Sequence, residues 1–396
     1  MVKKINIGLF IDTFYPMVDG VITVVDNYAK RLMKYGNVFV FAPSIKIKGK
    51  SFDDNTLKYK VIRSKALKVP FIDYSLPIPK VDPSFIREIS KYKLDIVHIH
   101  SPFTMGEAGI KYAKINHIPV VATMHSQFKQ DFKRAVKNDV LANTLTKKII
   151  NTFNKCDECW AVNSEVGRIF YEDYGYKTMP YIMNNATEMT PVKDKNIAIN
   201  KINELHDLKN EVVFIFVGRL NNLKNIFFIV DVLEKLKEID PKLNFKMLFI
   251  GTGQDEQELR KRIKKQNLTK EVIMCGRITD RNLLAYYYTR ADLFLFPSKY
   301  DSSSIVQIEA ASQKLPVLFV RGAATSATVT DNVNGFIEDE DTTLYAKRII
   351  NILKDKELYQ KVCENAYHDL YRNWHDTIDE VYERYLKLIE MKKVDR

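Results

Sequence analysis

Short, continuously apolar segments alternate with helical patterns along the whole chain. In the first half these segments are INIGLFI, VFVFAP, DIVHIH, PVVATMH and ECWAV, and in the second half they are VVFIFVGR, FKMLFIGTG, VIMCGR, DLFLFPS and PVLFV. Strands that are apolar on both faces and alternate with helices form parallel sheets covered on both sides. A length of 396 residues leaves room for two such units. We therefore predict an α/β protein with two doubly wound domains.

A polar segment separates the two sets of strands. Residues 187–198, TEMTPVKDKNIA, contain Pro191 and no hydrophobic period, which is typical of an interdomain linker. The predicted domains are residues 1–188 and 189–375, followed by a helical tail over residues 376–396. Neither half carries GxGxxG after its first strand, which argues against an ordinary dinucleotide-binding enzyme.

The positive charge of the chain lies mainly in its first half. Residues 1–190 hold 28 Lys and Arg against 18 Asp and Glu, whereas the remainder holds 33 against 31. Such an excess favours an anionic partner, which is a membrane surface, a nucleic acid or an acidic acceptor. Nucleic acid is the least favoured, because no nucleic-acid motif accompanies the charge. Four cysteines in so long a chain favour a reducing, cytoplasmic location.

The segment DLFLFPSKYDSSSIVQIE, residues 292–309, combines features that suit a nucleotide sugar. A buried strand runs into three serines and then into a helix that starts near Ile305. The free amides and dipole of a helix N-terminus favour an anion such as phosphate. Asp301 precedes this helix and Glu309 lies about one turn inside it, so both carboxylates can accept sugar hydroxyls from one crevice. The segment predicts a nucleotide-sugar enzyme.

A second strand end carries two cations. The strand VVFIFV is followed by Gly218, Arg219 and Leu220, and Lys224 comes five residues after the arginine. Arginine binds phosphate oxygens in a bidentate manner and lysine acts as a point charge, so this pair can clamp a diphosphate. We predict that Arg219 and Lys224 do so together with the serine-rich helix start.

Together these motifs resemble the retaining glycosyltransferases of family 4, which have the two-domain GT-B fold. The resemblance runs nearly the whole length and includes similarity to bacterial membrane-associated members. It implies two Rossmann-like domains with a cleft between them and a last helix that crosses back to the first domain. Two departures from the family pattern matter: Asp301 stands for a glutamate, and Ser302 to Ser304 stand for Gly-Phe-Gly.

The resemblance also implies a role for each candidate site residue. Arg219 and Lys224, with amides near the start of the helix, would stabilise the departing diphosphate without a metal or other cofactor. His125 and Asp301 would position the sugar, while His98 and His100 are assigned no chemistry. Glu309 would bind the ribose hydroxyls and Ile278 would contact the base. Gly20 would lie in a loop near the donor phosphates. The helix-start amides that bind the diphosphate would be those near Ser303, Ser304 and Ile305.

The resemblance implies that the protein transfers a hexose, with retention of its anomeric configuration, to a lipid-linked or cell-envelope glycan acceptor. A UDP-sugar is the first donor that we expect. Two alternatives stay open, a non-catalytic nucleotide-sugar-binding protein and a UDP-sugar epimerase of the same fold.

Residues 128–155 hold seven basic and two acidic side chains around apolar residues at helical spacing. They predict one helix that rests either on an anionic membrane or on the protein core. The expected location is therefore cytoplasmic, with peripheral attachment to the inner membrane face as the alternative.

Overall fold

The computed structural model describes residues 3–17, 19–47, 49–68 and 75–394. The chain divides into two compact units, with Met1–Asn185 and Trp374–Arg396 in unit 1 and Ala186–Asn373 in unit 2. The sequence places the corresponding boundaries after residues 188 and 375, within three residues of these positions. Each unit contains its own parallel sheet and hydrophobic core, as the alternation of apolar strands and helices predicts.

Unit 1 is built on a seven-stranded sheet in which every neighbouring pair is parallel. Its strand order is β11-β10-β9-β8-β1-β2-β5. Two short antiparallel pairs, β3 with β4 and β6 with β7, lie outside this sheet. The strands are β1 (Ile5–Phe10), β2 (Gly36–Pro43), β3 (Lys46–Ile47), β4 (Lys50–Ser51), β5 (Lys60–Ser64), β6 (Ala66–Lys68), β7 (Ser75–Pro77), β8 (Ile96–Ile99), β9 (Val120–Met124), β10 (Glu158–Ala161) and β11 (Tyr181–Ile182).

The helices of unit 1 begin at polar caps that satisfy their first amides. Asp19, Asp82, Asn138 and Asn163 each accept a hydrogen bond from the first turn of the following helix. These helices are α1 (Gly20–Leu32), α2 (Pro83–Ile89), α3 (Thr104–Asn116), α4 (Phe128–Val136), α5 (Asp139–Phe153) and α6 (Ser164–Arg168), with a π-helical turn at Ile169–Asp173 and 3₁₀ turns at Asp54–Thr56 and Pro79–Val81.

The last helix of the chain, Trp374–Val394, belongs to unit 1. Its apolar face buries Ile378, Val381 and Tyr385, which the sequence marks for the return crossing. The ring of Tyr382 stacks on that of Tyr35 at a centroid distance of 3.7 Å. The predicted return of the C-terminal helix to the first domain is therefore present.

Unit 2 contains a six-stranded, entirely parallel sheet of order β14-β13-β12-β15-β16-β17. The carboxyl ends of its strands meet at one edge, where ligands bind in sheets of this kind. The strands are β12 (Val212–Val217), β13 (Phe245–Ile250), β14 (Val272–Gly276), β15 (Leu293–Phe296), β16 (Val317–Val320) and β17 (Phe336–Glu338).

The first helix of unit 2 corrects the predicted linker. Residues 187–198 are not linker throughout, because Asp194 caps a helix that starts at Lys195 and Met189 is buried in the core. Following α6, the helices are α7 (Lys195–His206), α8 (Ile226–Ile239), α9 (Glu256–Lys265), α10 (Arg281–Arg290), α11 (Ile305–Ser312), α12 (Thr342–Lys354) and α13 (Lys356–Leu370), so that the C-terminal helix is α14, with 3₁₀ turns at Asn222–Lys224 and Ala324–Thr328.

Candidate functional site

The predicted cationic pair follows β12 at the carboxyl edge of the unit 2 sheet. Arg219 is exposed, and no ion-pair partner holds its guanidinium within the described part of the chain. The 3₁₀ turn Asn222–Lys224 then carries Lys224 toward α8, and Asn221 caps this turn by accepting a hydrogen bond from the Lys224 amide. The strand end therefore supplies one exposed and one half-buried cation.

Two glycines after β13 hold the Arg219 loop in place. The amide of Leu220 donates to the carbonyl of Thr252 at 3.0 Å. A Cβ at Gly251 would lie 1.8 Å from the Gly218 carbonyl oxygen, and one at Gly253 would lie 2.1 Å from that of Leu220. Gly251 also has a φ of +139°, which disfavours other residues. The two strand-end loops therefore pack backbone against backbone.

Lys224 and Asp301 form an ion pair that joins the two motifs identified in the sequence. The Lys224 Nζ contacts Asp301 Oδ1, and the two side chains are only 19% and 18% exposed. The second carboxylate oxygen, Asp301 Oδ2, is buried without a hydrogen-bond partner among the described residues. A buried acceptor with no donor is costly, so this oxygen is suited to a hydroxyl from a ligand.

The serine run leads into the N-terminus of α11 as the sequence predicts. Ser304 is the N-cap residue, but its side chain makes no capping hydrogen bond. Ser303 and Ile305 on either side are half-buried. Without a side-chain cap, the first-turn amides of the helix are available to an anion.

Glu309 lies inside α11 but is not the open carboxylate that the sequence suggests. It is 3% exposed, and its two oxygens accept hydrogen bonds from Arg281 and from the Tyr288 hydroxyl. Burial raises the pKa of Glu309, and the Arg281 charge opposes that shift. Sequence reasoning missed Arg281 and Tyr288. Their spacing of seven residues on α10, which places both on one helix face, is the signal that could have indicated them.

Ile278 follows β14 at the same edge of the unit 2 sheet. It is partly buried and packs against the hydrophobic core of that unit. The segments after β14, β12 and β15 therefore bring Ile278, the Arg219 loop and Asp301 to one edge, as their positions after successive strands predict.

Two of the predicted site residues, His125 and Gly20, lie in unit 1. His125 comes directly after β9, is half-buried, and its Nε2 lies 3.1 Å from Nδ1 of His100. Burial lowers the pKa of His125 to about 3. Gly20 is the first residue of α1 and not part of a loop, because Asp19 already caps that helix. A Cβ at Gly20 would meet nothing within 4 Å.

The basic segment 128–155 forms two helices, which corrects the prediction of one. Lys137 adopts a left-handed conformation that ends α4, and Asn138 caps α5. The predicted apolar face divides accordingly. Phe132 packs against the core of unit 1 and Phe153 is buried in it, whereas Val140 is 76% exposed.

The described residues offer neither a metal cluster nor a membrane-spanning helix. No three His, Cys, Asp or Glu side chains among them are grouped to hold a metal ion, and none of the helices in this part of the chain is long and apolar enough to cross a bilayer. Cys156, which precedes β10, and Cys159, which lies within it, are buried free thiols. The acidic turn Asp339 to Asp341 follows β17, and Asp341 caps α12.

Family models match both halves of the chain. The model described as Glycosyltransferase Family 4 matches residues 18–184, and the one described as Glycosyl transferases group 1 matches residues 199–369. The alpha-monoglucosyldiacylglycerol synthase of Acholeplasma laidlawii is 27% identical over 92% of this chain and 97% of that protein. The GDP-mannose-dependent alpha-mannosyltransferase of Corynebacterium glutamicum is 23% identical over 99% and 91%.

Solved structures show the same fold. Sucrose-phosphate synthase from Thermosynechococcus elongatus superposes with a TM-score of 0.78, at 18% identity over 98% of this chain and 100% of that one. Anabaena HepE in complex with UDP gives a TM-score of 0.75, at 15% identity over 96% and 99%. These structures have the two-domain GT-B architecture that the sequence predicts.

Proposed function

The chain belongs to the family-4 glycosyltransferases of the GT-B fold, and from this premise we propose that it transfers a hexose from a nucleotide diphosphate sugar to a lipid-linked or cell-envelope glycan acceptor. The transfer retains the anomeric configuration. The observation that carries the proposal is the Lys224–Asp301 pair, which joins a diphosphate-binding cation to a carboxylate with an unpartnered oxygen. One group suits the leaving phosphate and the other suits a sugar hydroxyl.

The chemistry requires stabilisation of a departing diphosphate. The bond between the anomeric carbon and the diphosphate oxygen breaks while the acceptor hydroxyl attacks the same face, and its proton passes to the leaving oxygen. Arg219, Lys224 and the amides of Ser304 and Ile305 face the negative charge that develops. These fixed positive groups supply what a divalent cation would otherwise supply, so the proposed reaction is metal-independent.

The family resemblance supplies further donor assignments within each unit. In unit 2, the resemblance assigns Glu309 to the ribose, although its two oxygens already accept hydrogen bonds from Arg281 and Tyr288, and it assigns Ile278 to the base. Asp301 and His125 position the sugar, and Gly20 leaves room for the donor phosphates, since no protein atom would contact a Cβ there. UDP is the proposed nucleotide, supported by the HepE complexes with UDP and UDP-glucose.

The acceptor proposal rests on the surface of α4 and α5. Val140 and Leu141 are 76% and 46% exposed at the start of α5, and the exposed Lys147 and Lys148 follow on the same helix. Apolar side chains beside lysines suit the headgroup region of an anionic bilayer. The Acholeplasma relative, a diacylglycerol glucolipid synthase by name, supports a membrane acceptor. We assign residues 128–155 as the membrane-facing segment.

A donor panel tests the function. Purified protein is incubated with UDP- and GDP-hexoses, diacylglycerol or polyprenyl phosphate in mixed micelles, and EDTA. We expect release of the nucleoside diphosphate, undiminished by EDTA, and a product whose anomeric proton coupling shows the α configuration of the donor. Interconversion of two UDP-sugars would instead identify an epimerase, and donor binding without turnover would identify a binding protein.

A further inference from the structure

Three histidines from neighbouring strands form one buried row in unit 1. His98 lies in β8, His100 follows that strand, and His125 follows β9. The rings of His98 and His100 stack at 4.0 Å, and those of His100 and His125 lie 5.4 Å apart. The three rings therefore run from the interior toward the carboxyl edge of the sheet, where His125 is half-buried.

His98 has a complete set of hydrogen bonds. Its Nδ1 lies 2.6 Å from the Tyr385 hydroxyl of α14, and its Nε2 lies 2.7 Å from the Thr123 hydroxyl. Its ring is fully buried. These contacts account for His98 as a structural residue that joins the C-terminal helix to the sheet.

His100 is different, because only one of its nitrogens is used. Nδ1 faces His125 Nε2, whereas Nε2 is buried and has no hydrogen-bond partner in the described part of the chain. Burial lowers the pKa of both histidines, so each ring is neutral and carries one proton. A neutral pair at this distance contains one N–H donor and one acceptor.

From this geometry we infer that His100 is a positioning residue that fixes the ring orientation and tautomer of His125. The inference rests on the proposed role of His125 at the sugar. A ring held at one nitrogen by a buried partner presents its other nitrogen, Nδ1, in a constant direction. His125 Nδ1 has no partner of its own within the described residues, so it is the atom left for a substrate hydroxyl.

The inference includes the direction of the shared hydrogen bond. A donating sugar hydroxyl requires an acceptor at His125 Nδ1, so we assign the His125 proton to Nε2, which donates to His100 Nδ1. His100 then carries its own proton on Nε2. The His100 ring lies 5.4 Å from the Tyr28 ring and almost perpendicular to it, at 84°.

Histidine ¹⁵N spectra together with kinetics test this assignment. The chain has seven histidines, so single substitutions can assign the His125 signals. We expect wild-type His125 to show an unprotonated Nδ1 and a protonated Nε2. His100→Phe keeps a ring but removes the acceptor, and we expect mixed His125 tautomers with kcat at least tenfold lower and donor KM little changed. His100→Asn supplies an acceptor near the former Nδ1, and we expect a single tautomer and kcat within a few-fold of wild type.

Thr123→Val is the matched control. Thr123 lies in β9, two residues before His125, and its substitution removes a buried hydrogen bond to His98. It changes neither His100 nor His125. It should leave the His125 spectrum unchanged. The inference is overturned if His100→Phe leaves the His125 tautomer single, or if His100→Asn and Thr123→Val change it as much as His100→Phe does. The spectra test the role of His100 even if the protein turns over no donor. Absence of turnover would contradict the proposed function but not the assignment of the His125 tautomer.

Discussion

Asp301 and Lys224 form a half-buried ion pair. A diphosphate that binds Lys224 must therefore compete with this carboxylate. The aspartate that stands for the family's glutamate is shorter, and in this structure one of its oxygens is committed to lysine while the other has no partner among the described residues. Under the proposed function, nucleotide affinity and sugar positioning therefore oppose each other at this residue.

Asp301→Asn should separate these two effects. The neutral amide releases Lys224, so UDP should bind about threefold to tenfold more tightly, as the loss of a partly exposed ion pair suggests. Transfer should nevertheless slow, because the amide accepts a sugar hydroxyl less well than a carboxylate. Calorimetry with UDP and initial rates with the UDP-sugar measure the two quantities. Weaker UDP binding would contradict the competition, and Asp339→Asn, on the exposed acidic turn, is the control.

At the scale of elements, the position of the Arg219 loop depends on the turn after β13. Gly251→Ala should destabilise unit 2 by more than about 2 kcal/mol, because a Cβ there would overlap a backbone oxygen at an unfavourable φ. Gly218→Ala, in the loop itself, is the control. Its Cβ would approach only the Phe216 ring, at 3.2 Å, and should cost less than about 1 kcal/mol. Thermal unfolding compares them, and equal costs would contradict the packing account.

The buried histidine row predicts how the stability of unit 1 depends on pH. Burial lowers the pKa values of His98, His100 and His125 in the folded state. The unfolded chain then binds more protons below pH 6.5, so stability is complete above that pH and falls as the pH drops through it. From pH 7 to pH 5.5 the loss should be about 1.2 kcal/mol per histidine, or roughly 3 to 4 kcal/mol in all.

Urea unfolding at the two pH values measures this loss. Trp160 and Trp374 are both buried in unit 1 and are the chain's two tryptophans, so their fluorescence reports on that unit alone. Equal stability at both pH values would show that the row is not neutral in the folded protein.

The elements show what the sequence could and could not predict. Long apolar strands such as β1, β12 and β15 are evident, because burial on both faces leaves a continuous apolar run. The edge strands β5 and β17 were missed, since KVIRS and FIE are short and partly polar. The break between α4 and α5 was missed as well, because Lys137 gives no glycine signal for its left-handed turn.

The candidate site residues likewise divide into those that a local sequence pattern indicates and those that it does not. Residues placed by strand ends, such as Arg219, Lys224 and Asp301, could be predicted from spacing, because parallel strands bring their carboxyl ends to one edge. The partners of Glu309 and the contact between His100 and His125 could not. They depend on side chains from separate elements meeting in the interior, which no local period encodes.

At the scale of the whole molecule, the uneven charge predicts where the protein acts. Anionic vesicles should recover the protein by flotation at low salt, and the recovery should fall with added salt. Neutralising Lys133, Arg134, Lys147 and Lys148 to glutamine should abolish most of it, since each basic group near such a surface contributes about 1 kcal/mol. Neutralising four lysines of unit 2, Lys235, Lys261, Lys264 and Lys265, is the matched control. Equal recovery on zwitterionic vesicles would contradict the membrane assignment.

The central claim is that the strand-end cations of unit 2 hold the diphosphate of a sugar donor. The most direct measurement is the rate of nucleoside diphosphate release from the preferred donor by wild type and by Arg219→Ala and Lys224→Ala, with Lys235→Ala as the control. We predict losses of about 10² to 10³ in kcat/KM for each of the first two variants and none for the control. Undiminished release by both Arg219→Ala and Lys224→Ala would contradict the claim.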